Sequence, residues 1–236
     1  TFDMAKIATD ALRNSMECLG TYDKAKAEAI REAEDKTDHL EDVIGSYLVK
    51  LSTKQLNENE GAMASMLLKA IGDFERISDH AVNILESAEE MREKGIVFSE
   101  SAKAELDALC AATSEIVTLS YGAFVENNAE QANLVEPLEQ VIDRMKELLR
   151  TRHIDRLRVG ECGIEAGFVW SDLITNMERV SDHCSNIAVA VLESNDAQLR
   201  PHDYLRALDE GNEEHFRTQK KHYIEKYYEP LNAVQQ

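Results

Sequence analysis

The chain has 236 residues, of which 45 are acidic and 26 are basic, and its formal net charge is −19. Such a charge disfavours extended contact with a phosphate backbone, which requires a basic surface, so no nucleic-acid partner is expected. The four cysteines include no Cys-x-x-Cys pair, which indicates neither a disulfide framework nor a zinc site and is typical of a reducing, cytosolic compartment. No continuous apolar run approaches the roughly 20 residues that cross a bilayer, so we expect no transmembrane segment in this chain.

The composition predicts an all-α protein, because there are only 3 prolines and 10 glycines, while good helix formers are abundant. In chain order, long helices are predicted over residues 2–20, 23–55, 60–94, 99–127, 129–158 and 164–194. Gly95 is expected to cap the third helix and Ser99 to begin the fourth. Pro137 falls inside the fifth, where we expect a kink or a later helix start.

The pattern changes after Asn195. Pro201 is predicted to open a short helix, and a charged run that includes Tyr223, Tyr227 and Tyr228 follows Gly211. We interpret this tail as a peripheral helix that packs on the second three-helix unit, with a dedicated binding segment as the alternative.

A ten-residue phrase occurs twice in the chain. The first motif, ERISDHAVNI at residues 75–84, returns 103 residues later as the second motif, ERVSDHCSNI at residues 178–187. An acidic pair on the preceding helix also recurs, since Glu34 and Asp38 match Glu139 and Asp143 at an offset of 105. We therefore predict two tandem antiparallel three-helix bundles and a short C-terminal helical tail, with boundaries at 1–97, 98–195 and 196–236.

Each motif presents a stripe of oxygen donors, because residues four apart lie on one face of a helix. In the first motif these are Glu75, Asp79 and Asn83, and in the second they are Glu178, Asp182 and Asn186. Carboxylate and amide oxygens favour hard or borderline ions such as Mg²⁺, Mn²⁺ or iron. Spacing alone proves little, since chance gives roughly eight acidic pairs at this separation. The repetition of whole ten-residue phrases indicates metal binding, with duplicated packing as the alternative.

Histidine-based catalysis is not indicated. His80 and His183 each follow the motif aspartate by one residue, about 100° further around the helix, so we assign them packing or capping roles. A di-iron oxidase bundle would need Glu-x-x-His, and none of the seven histidines has Glu three residues before it. There is also no Gly-rich phosphate loop and no Gly-x-Ser-x-Gly elbow. The chain is predicted not to be an enzyme.

The duplicated Glu-x-x-x-Asp helices and the phrase ERISDHAVNI resemble the PhoU family over about residues 5–193. The later phrases HIDRL at 153–157 and GEC at 160–162 are similar to PhoU-like C-terminal domains of bacterial sodium/phosphate cotransporters, in which this domain follows a transmembrane transporter half. The resemblance implies a six-helix array, metal clusters on the acidic motifs and a role in controlling phosphate uptake.

The resemblance also implies two metal sites. Asn83 and Asn186 would be adjacent oxygen donors, and Asp73, whose counterpart is Asn176, breaks the symmetry and predicts different occupancies. The ion is left open between iron, manganese, magnesium and zinc. The ligands would be Glu34, Asp38, Glu75 and Asp79 in one site, and Glu139, Asp143, Glu178 and Asp182 in the other.

Together, the repeated motifs and this resemblance predict a metal-binding regulatory domain of phosphate transport at the cytoplasmic face of the membrane. Its expected partners are a membrane phosphate transporter, in cis or in trans, and a second copy of the chain in a homodimer. Two alternatives stay open at this point: a metal-dependent enzyme of a helical-bundle class, and a structural docking module with an acidic face.

Overall fold

The computed structural model describes residues 1–196 and 214–233, and within these ranges the chain forms helices and no strands. This confirms the predicted all-α class. The helix predicted to open at Pro201 lies outside the described residues. The helices are α1 (Phe2–Gly20), α2 (Lys24–Ser52), α3 (Glu58–Lys94), α4 (Glu100–Glu126), α5 (Ala129–Ala132), α6 (Val135–Arg158), α7 (Ile164–Asn195), α8 (Glu214–Tyr223) and α9 (Glu229–Ala233), with a π-helical turn (Ile224–Tyr228) between the last two.

Capping residues define the ends of the long helices. Asn57 and Glu60 form a capping box at the start of α3, where each side chain accepts a hydrogen bond from the backbone of the other. Gly95 ends α3 with a positive φ of 63°, which glycine adopts without strain. The Ser99 hydroxyl accepts a hydrogen bond from the Ala102 backbone N–H at the start of α4. The caps predicted at Gly95 and Ser99 are confirmed.

Pro137 explains why the predicted fifth helix is divided. The short α5 ends at Ala132, and α6 begins at Val135, which places Pro137 in the first turn of α6. A backbone N–H in the first turn has no acceptor within the helix, so proline loses nothing there. The later start expected from the sequence is therefore confirmed.

Helices α3 and α7, which carry the two motifs, pack against each other at the centre of the molecule. Helices α1 and α2 cover α3, while α4 and α6 cover α7. Phe74 of α3 and Phe124 of α4 are fully buried, and their rings meet at 5.0 Å. One apolar core thus continues across both sets of helices. The predicted boundary at 97/98 lies between α3 and α4 and the one at 195/196 follows α7; the division into domains stays a prediction.

The C-terminal tail packs on α6 through α8 and the π-helical turn. Arg152 of α6 donates a hydrogen bond to the carbonyl oxygen of Leu231 at 2.8 Å, and the Tyr227 hydroxyl donates to Glu115. Phe216, Tyr223 and Tyr227 are buried. The described part of the tail is therefore a peripheral helical segment, as the tyrosine-rich run indicated.

Helix α4 is long and apolar enough to cross a membrane by length and composition, with a mean hydropathy of 1.4 over 18 residues. The sequence pattern did not indicate that α4 is long and apolar enough to cross a membrane, because alanine, serine and threonine interrupt its large apolar residues. The central helix of a water-soluble bundle has the same composition. In this structure α4 buries Leu109, Ile116 and Phe124 completely and packs on α6 and α7, so it serves as a core helix.

Candidate metal-binding clusters

The two motif helices are joined by reciprocal hydrogen bonds. His80 Nδ1 lies 2.9 Å from Asn176 Oδ1, and His183 Nδ1 lies 2.9 Å from Asp73 Oδ1. Because Asp73 and Asn176 are 103 residues apart, each motif histidine contacts the equivalent position of the other motif helix. The imidazole rings are 5.5 Å apart. These histidines therefore hold α3 against α7, in agreement with the packing role assigned to them.

The first acidic cluster comprises Glu34 and Asp38 of α2 and Glu75 and Asp79 of α3. Glu75 is only 9% exposed, and burial, followed by the negative charge of Asp79, raises the pKa of its carboxyl to about 7. Burial also raises the pKa of Glu34, with Asp79 as the next largest cause. Acids from the two helices thus interact across the α2/α3 contact. Arg76 is the counter-charge, with its Nη1 2.9 Å from Asp79 and its Nε 3.3 Å from Glu75.

The second acidic cluster comprises Glu139 and Asp143 of α6 and Glu178 and Asp182 of α7. Arg179 repeats the role of Arg76, with its Nη1 3.1 Å from Asp182. Burial, with Glu178 as the next cause, raises the pKa of Asp182. Glu178 is 8% exposed, and its Oε2 has no hydrogen-bond partner among the described residues. A buried carboxylate oxygen without a partner is costly, because it has lost its hydration without replacement.

Glu139 is the acid whose pKa rises furthest in either cluster. Burial is the main cause, followed by the charges of Glu136, Asp182 and Asp143, and together they raise the pKa of Glu139 to about 8 from an ordinary 4.5. Between these two pH values the folded chain holds a proton that the unfolded chain has released. The contribution of Glu139 to the stability of the metal-free protein must therefore fall as pH rises through this window.

We expect Glu139→Gln to remove the part of the pH dependence of stability that Glu139 contributes. Between pH 5 and pH 9, the wild-type protein should lose about 1–2 kcal/mol of unfolding free energy relative to the variant, after allowance for partial exposure of the site. Urea unfolding with a chelator at both pH values measures this difference. Glu147→Gln, which changes an exposed acid of the same helix, is the control. Parallel pH profiles for wild type and Glu139→Gln would contradict the assignment.

The two asparagines predicted as adjacent donors are both exposed. The Asn186 side-chain amide donates to Asp73 Oδ1 at 3.1 Å, so Asp73 is held by Asn186 and His183. Within residues 1–196 and 214–233, no three His, Cys, Asp or Glu side chains already stand in a metal-ligating arrangement. The acids therefore have the donor chemistry that hard cations require, while the ligand shell is not preassembled.

Two residues next to the clusters were missed by the sequence interpretation. Lys146 Nζ lies 2.9 Å from Glu178 Oε1 in the second cluster. Its counterpart at the offset of 105 is Glu41, whose Oε1 would lie 3.3 Å from a Cβ placed on Gly72, one turn before Glu75. The charge of Glu41 also contributes to raising the pKa of Glu75. Applying the offset beyond the acidic pairs would have found both positions.

The chain resembles known proteins in sequence and in fold. It is 27% identical over 216 residues to a Thermotoga maritima protein named phosphate-specific transport system accessory protein PhoU homolog 1, covering 89% of this chain and 90% of the relative. PhoU from Pseudomonas aeruginosa superposes with a TM-score of 0.77 at 20% identity, over 83% of this chain and 93% of that structure. The phosphate transport system regulatory protein PhoU from Streptococcus pneumoniae superposes with a TM-score of 0.73 at 18% identity, over 84% and 93%.

The name of the Thermotoga maritima relative describes an accessory protein, which agrees with the prediction that the chain is not an enzyme. The sequence model of the PhoU domain family matches residues 2–88 and 106–191 of this chain. These two ranges span most of the chain, and each contains one motif and the acidic pair that precedes it. The chain belongs to the PhoU family.

Proposed function

We propose that this chain is a metal-binding regulatory domain that controls phosphate transport from the cytoplasmic face of the membrane. The observation that carries the proposal is the duplication of a carboxylate cluster around a buried glutamate, Glu75 on α3 and Glu178 on α7. Each cluster combines acids from two neighbouring helices, and each contains one arginine counter-charge. Iron, manganese, magnesium and zinc are the ions proposed.

The electrostatics of the clusters favour a cation. Like charges that are partly buried repel each other, and a positive ion would offset that repulsion. The carboxyl pKa values of Glu75 and Glu139 are raised, and the Oε2 atom of Glu178 has no hydrogen-bond partner among the described residues. Both observations are expected of buried carboxylates whose negative charge is incompletely compensated. The oxygen donors suit hard ions. Such an ion would bind between α2 and α3 in the first cluster and between α6 and α7 in the second.

The role in phosphate transport rests on family membership and on the relatives' names. One relative is an accessory protein of a phosphate-specific transport system, and a structural neighbour is a phosphate transport system regulatory protein. We extend this role to the present chain and propose a membrane phosphate transporter, in cis or in trans, as its partner. We also propose that the chain forms a homodimer and that the transporter is a sodium/phosphate cotransporter.

The test uses a variant in which four cluster acids become amides, measured for metal content and for phosphate uptake in cells. Tag-free wild-type protein should contain metal by elemental analysis, and the variant should lose most of it. Phosphate uptake in cells that carry the variant should no longer respond to external phosphate. The four substitutions are Glu75→Gln, Asp79→Asn, Glu178→Gln and Asp182→Asn.

The matched control removes the same number of charges from exposed acids outside both clusters. It consists of Asp3→Asn, Asp107→Asn, Glu28→Gln and Glu93→Gln. The control should keep both its metal and its response to phosphate. If the wild-type protein stays metal-free after incubation with Fe²⁺, Mn²⁺, Mg²⁺ and Zn²⁺, the metal-binding proposal is wrong and the acidic faces are docking surfaces. An unchanged uptake response in the variant would remove the regulatory mechanism.

A further inference from the structure

The two acidic clusters differ at one position that faces the buried motif glutamate. In the second cluster this position is Lys146, and its ammonium forms an ion pair with Glu178 in which the side chains are 18% and 11% exposed. In the first cluster the equivalent residue is Glu41, an acid that lies against α3 at Gly72. A positive charge in one cluster thus replaces a negative charge in the other.

The Lys146 ammonium already acts as a counter-ion inside the second cluster. It contacts one oxygen of Glu178, while the other oxygen lies 3.9 Å from Arg179 Nε and has no hydrogen-bond partner in the described part of the chain. A metal ion that used Glu178 would meet this ammonium at close range. The repulsion between the metal ion and the ammonium would be strong, because the side chains of Lys146 and Glu178 are largely buried and solvent screens charges weakly there.

The first cluster has the opposite arrangement. Its only lysine or arginine within ion-pair distance of the four acids, among the described residues, is Arg76, which is 60% exposed and can remain in solvent. Glu41 adds a further carboxylate beside Glu75. A cation in this cluster would be attracted by the Glu41 carboxylate, whereas a cation in the second cluster would be repelled by the Lys146 ammonium.

We propose that Lys146 sets an order of metal binding, in which the first cluster binds a hard cation tightly and the second binds one weakly until the ammonium withdraws. This inference rests on the proposed metal-binding function and adds to it an unequal pair of sites with an assigned cause. The weak site would respond to ion concentrations at which the tight site is already full.

Titration of the metal-free protein with Mn²⁺, followed by equilibrium dialysis and electron paramagnetic resonance of free Mn²⁺, tests the order. Wild type should show one tight and one weak class of site. Lys146→Met should tighten the weak class by about tenfold or more, since it removes a buried positive charge beside the ion. Lys103→Met, which removes an exposed lysine on α4, should change neither class.

The reciprocal variant guards against misfolding of Lys146→Met. Glu41→Lys should weaken the tight class by a similar factor and leave the weak class unchanged. Circular dichroism melts with a chelator establish that each variant is folded before titration. Two equal classes in wild type, or no change with either charge variant beyond that of Lys103→Met, would overturn the inference and leave the proposed function standing. Absence of Mn²⁺ binding in wild type and in every variant, repeated with Fe²⁺, Mg²⁺ and Zn²⁺, would overturn both.

Discussion

Replacing Glu105 by alanine is expected to lower the free energy of unfolding by about 3–5 kcal/mol, because Arg152, which is buried, and Arg156, which is half-buried, would lose the counter-charge that they share. Glu105 is 5% exposed, and its two oxygens accept hydrogen bonds from Arg152 Nη1 at 3.1 Å and from Arg156 Nη1 at 2.8 Å. Arg152 also holds the tail through the carbonyl oxygen of Leu231. We therefore expect the tail to become sensitive to proteases in this variant. Urea unfolding and limited proteolysis measure the two effects.

The matched control is Glu100→Ala, which removes an exposed acid of the same helix and should leave the free energy of unfolding nearly unchanged. Replacing the whole triad with apolar residues, as Glu105→Leu with Arg152→Met and Arg156→Met, should recover most of the loss, since no buried charge is then left unpaired. If Glu105→Ala costs less than about 1 kcal/mol, the guanidinium groups are better hydrated than their burial indicates.

Phe124→Ala should lower the free energy of unfolding by about 3–5 kcal/mol, because it opens a cavity where three helices meet. The Phe124 ring on α4 lies 5.0 Å from Phe74 of α3 and 5.6 Å from Phe2 of α1. It therefore joins the core around the first motif to the core around the second. Its loss should destabilise both motif helices together.

Two probes decide whether the loss is shared. Fluorescence of Trp170, the only tryptophan, reports on α7, and circular dichroism reports on all helices. Coincident transitions at a lower urea concentration are expected for the variant. The neighbouring Val125, which is 36% exposed, gives the control Val125→Ala, with an expected cost below about 1 kcal/mol. Separate transitions for the two probes would mean that the two cores are energetically independent.

The sequence predicted the helices well because their ends depend on local chemistry. Asn57, Gly95 and Ser99 act through atoms a few residues away, and the position of Pro137 limited where α6 could begin. The repeated phrases also placed the acids of each cluster on neighbouring helices. Periodicity and capping carry this information without knowledge of the tertiary contacts.

The remaining features depend on contacts between helices that are distant in sequence. The exchange of hydrogen bonds between His80 and Asn176 requires α3 to lie beside α7 in one register, which no local pattern specifies. The Glu105 triad joins residues 47 and 51 positions apart, and Lys146 reaches Glu178 on the next long helix. The ligand shells stay a prediction, because the acids come together without forming a preassembled site.

The apolar character of α4 has a consequence for topology assignment in longer polypeptides that contain this domain. A hydropathy scan would count α4 as one more membrane crossing, and everything after it would then be assigned to the opposite side of the bilayer. That assignment would separate α3 from α7 by the thickness of a membrane. Their direct packing and the hydrogen bonds from His80 and His183 require both helices to occupy the same compartment. Reporter fusions placed before and after α4 should therefore give the same orientation.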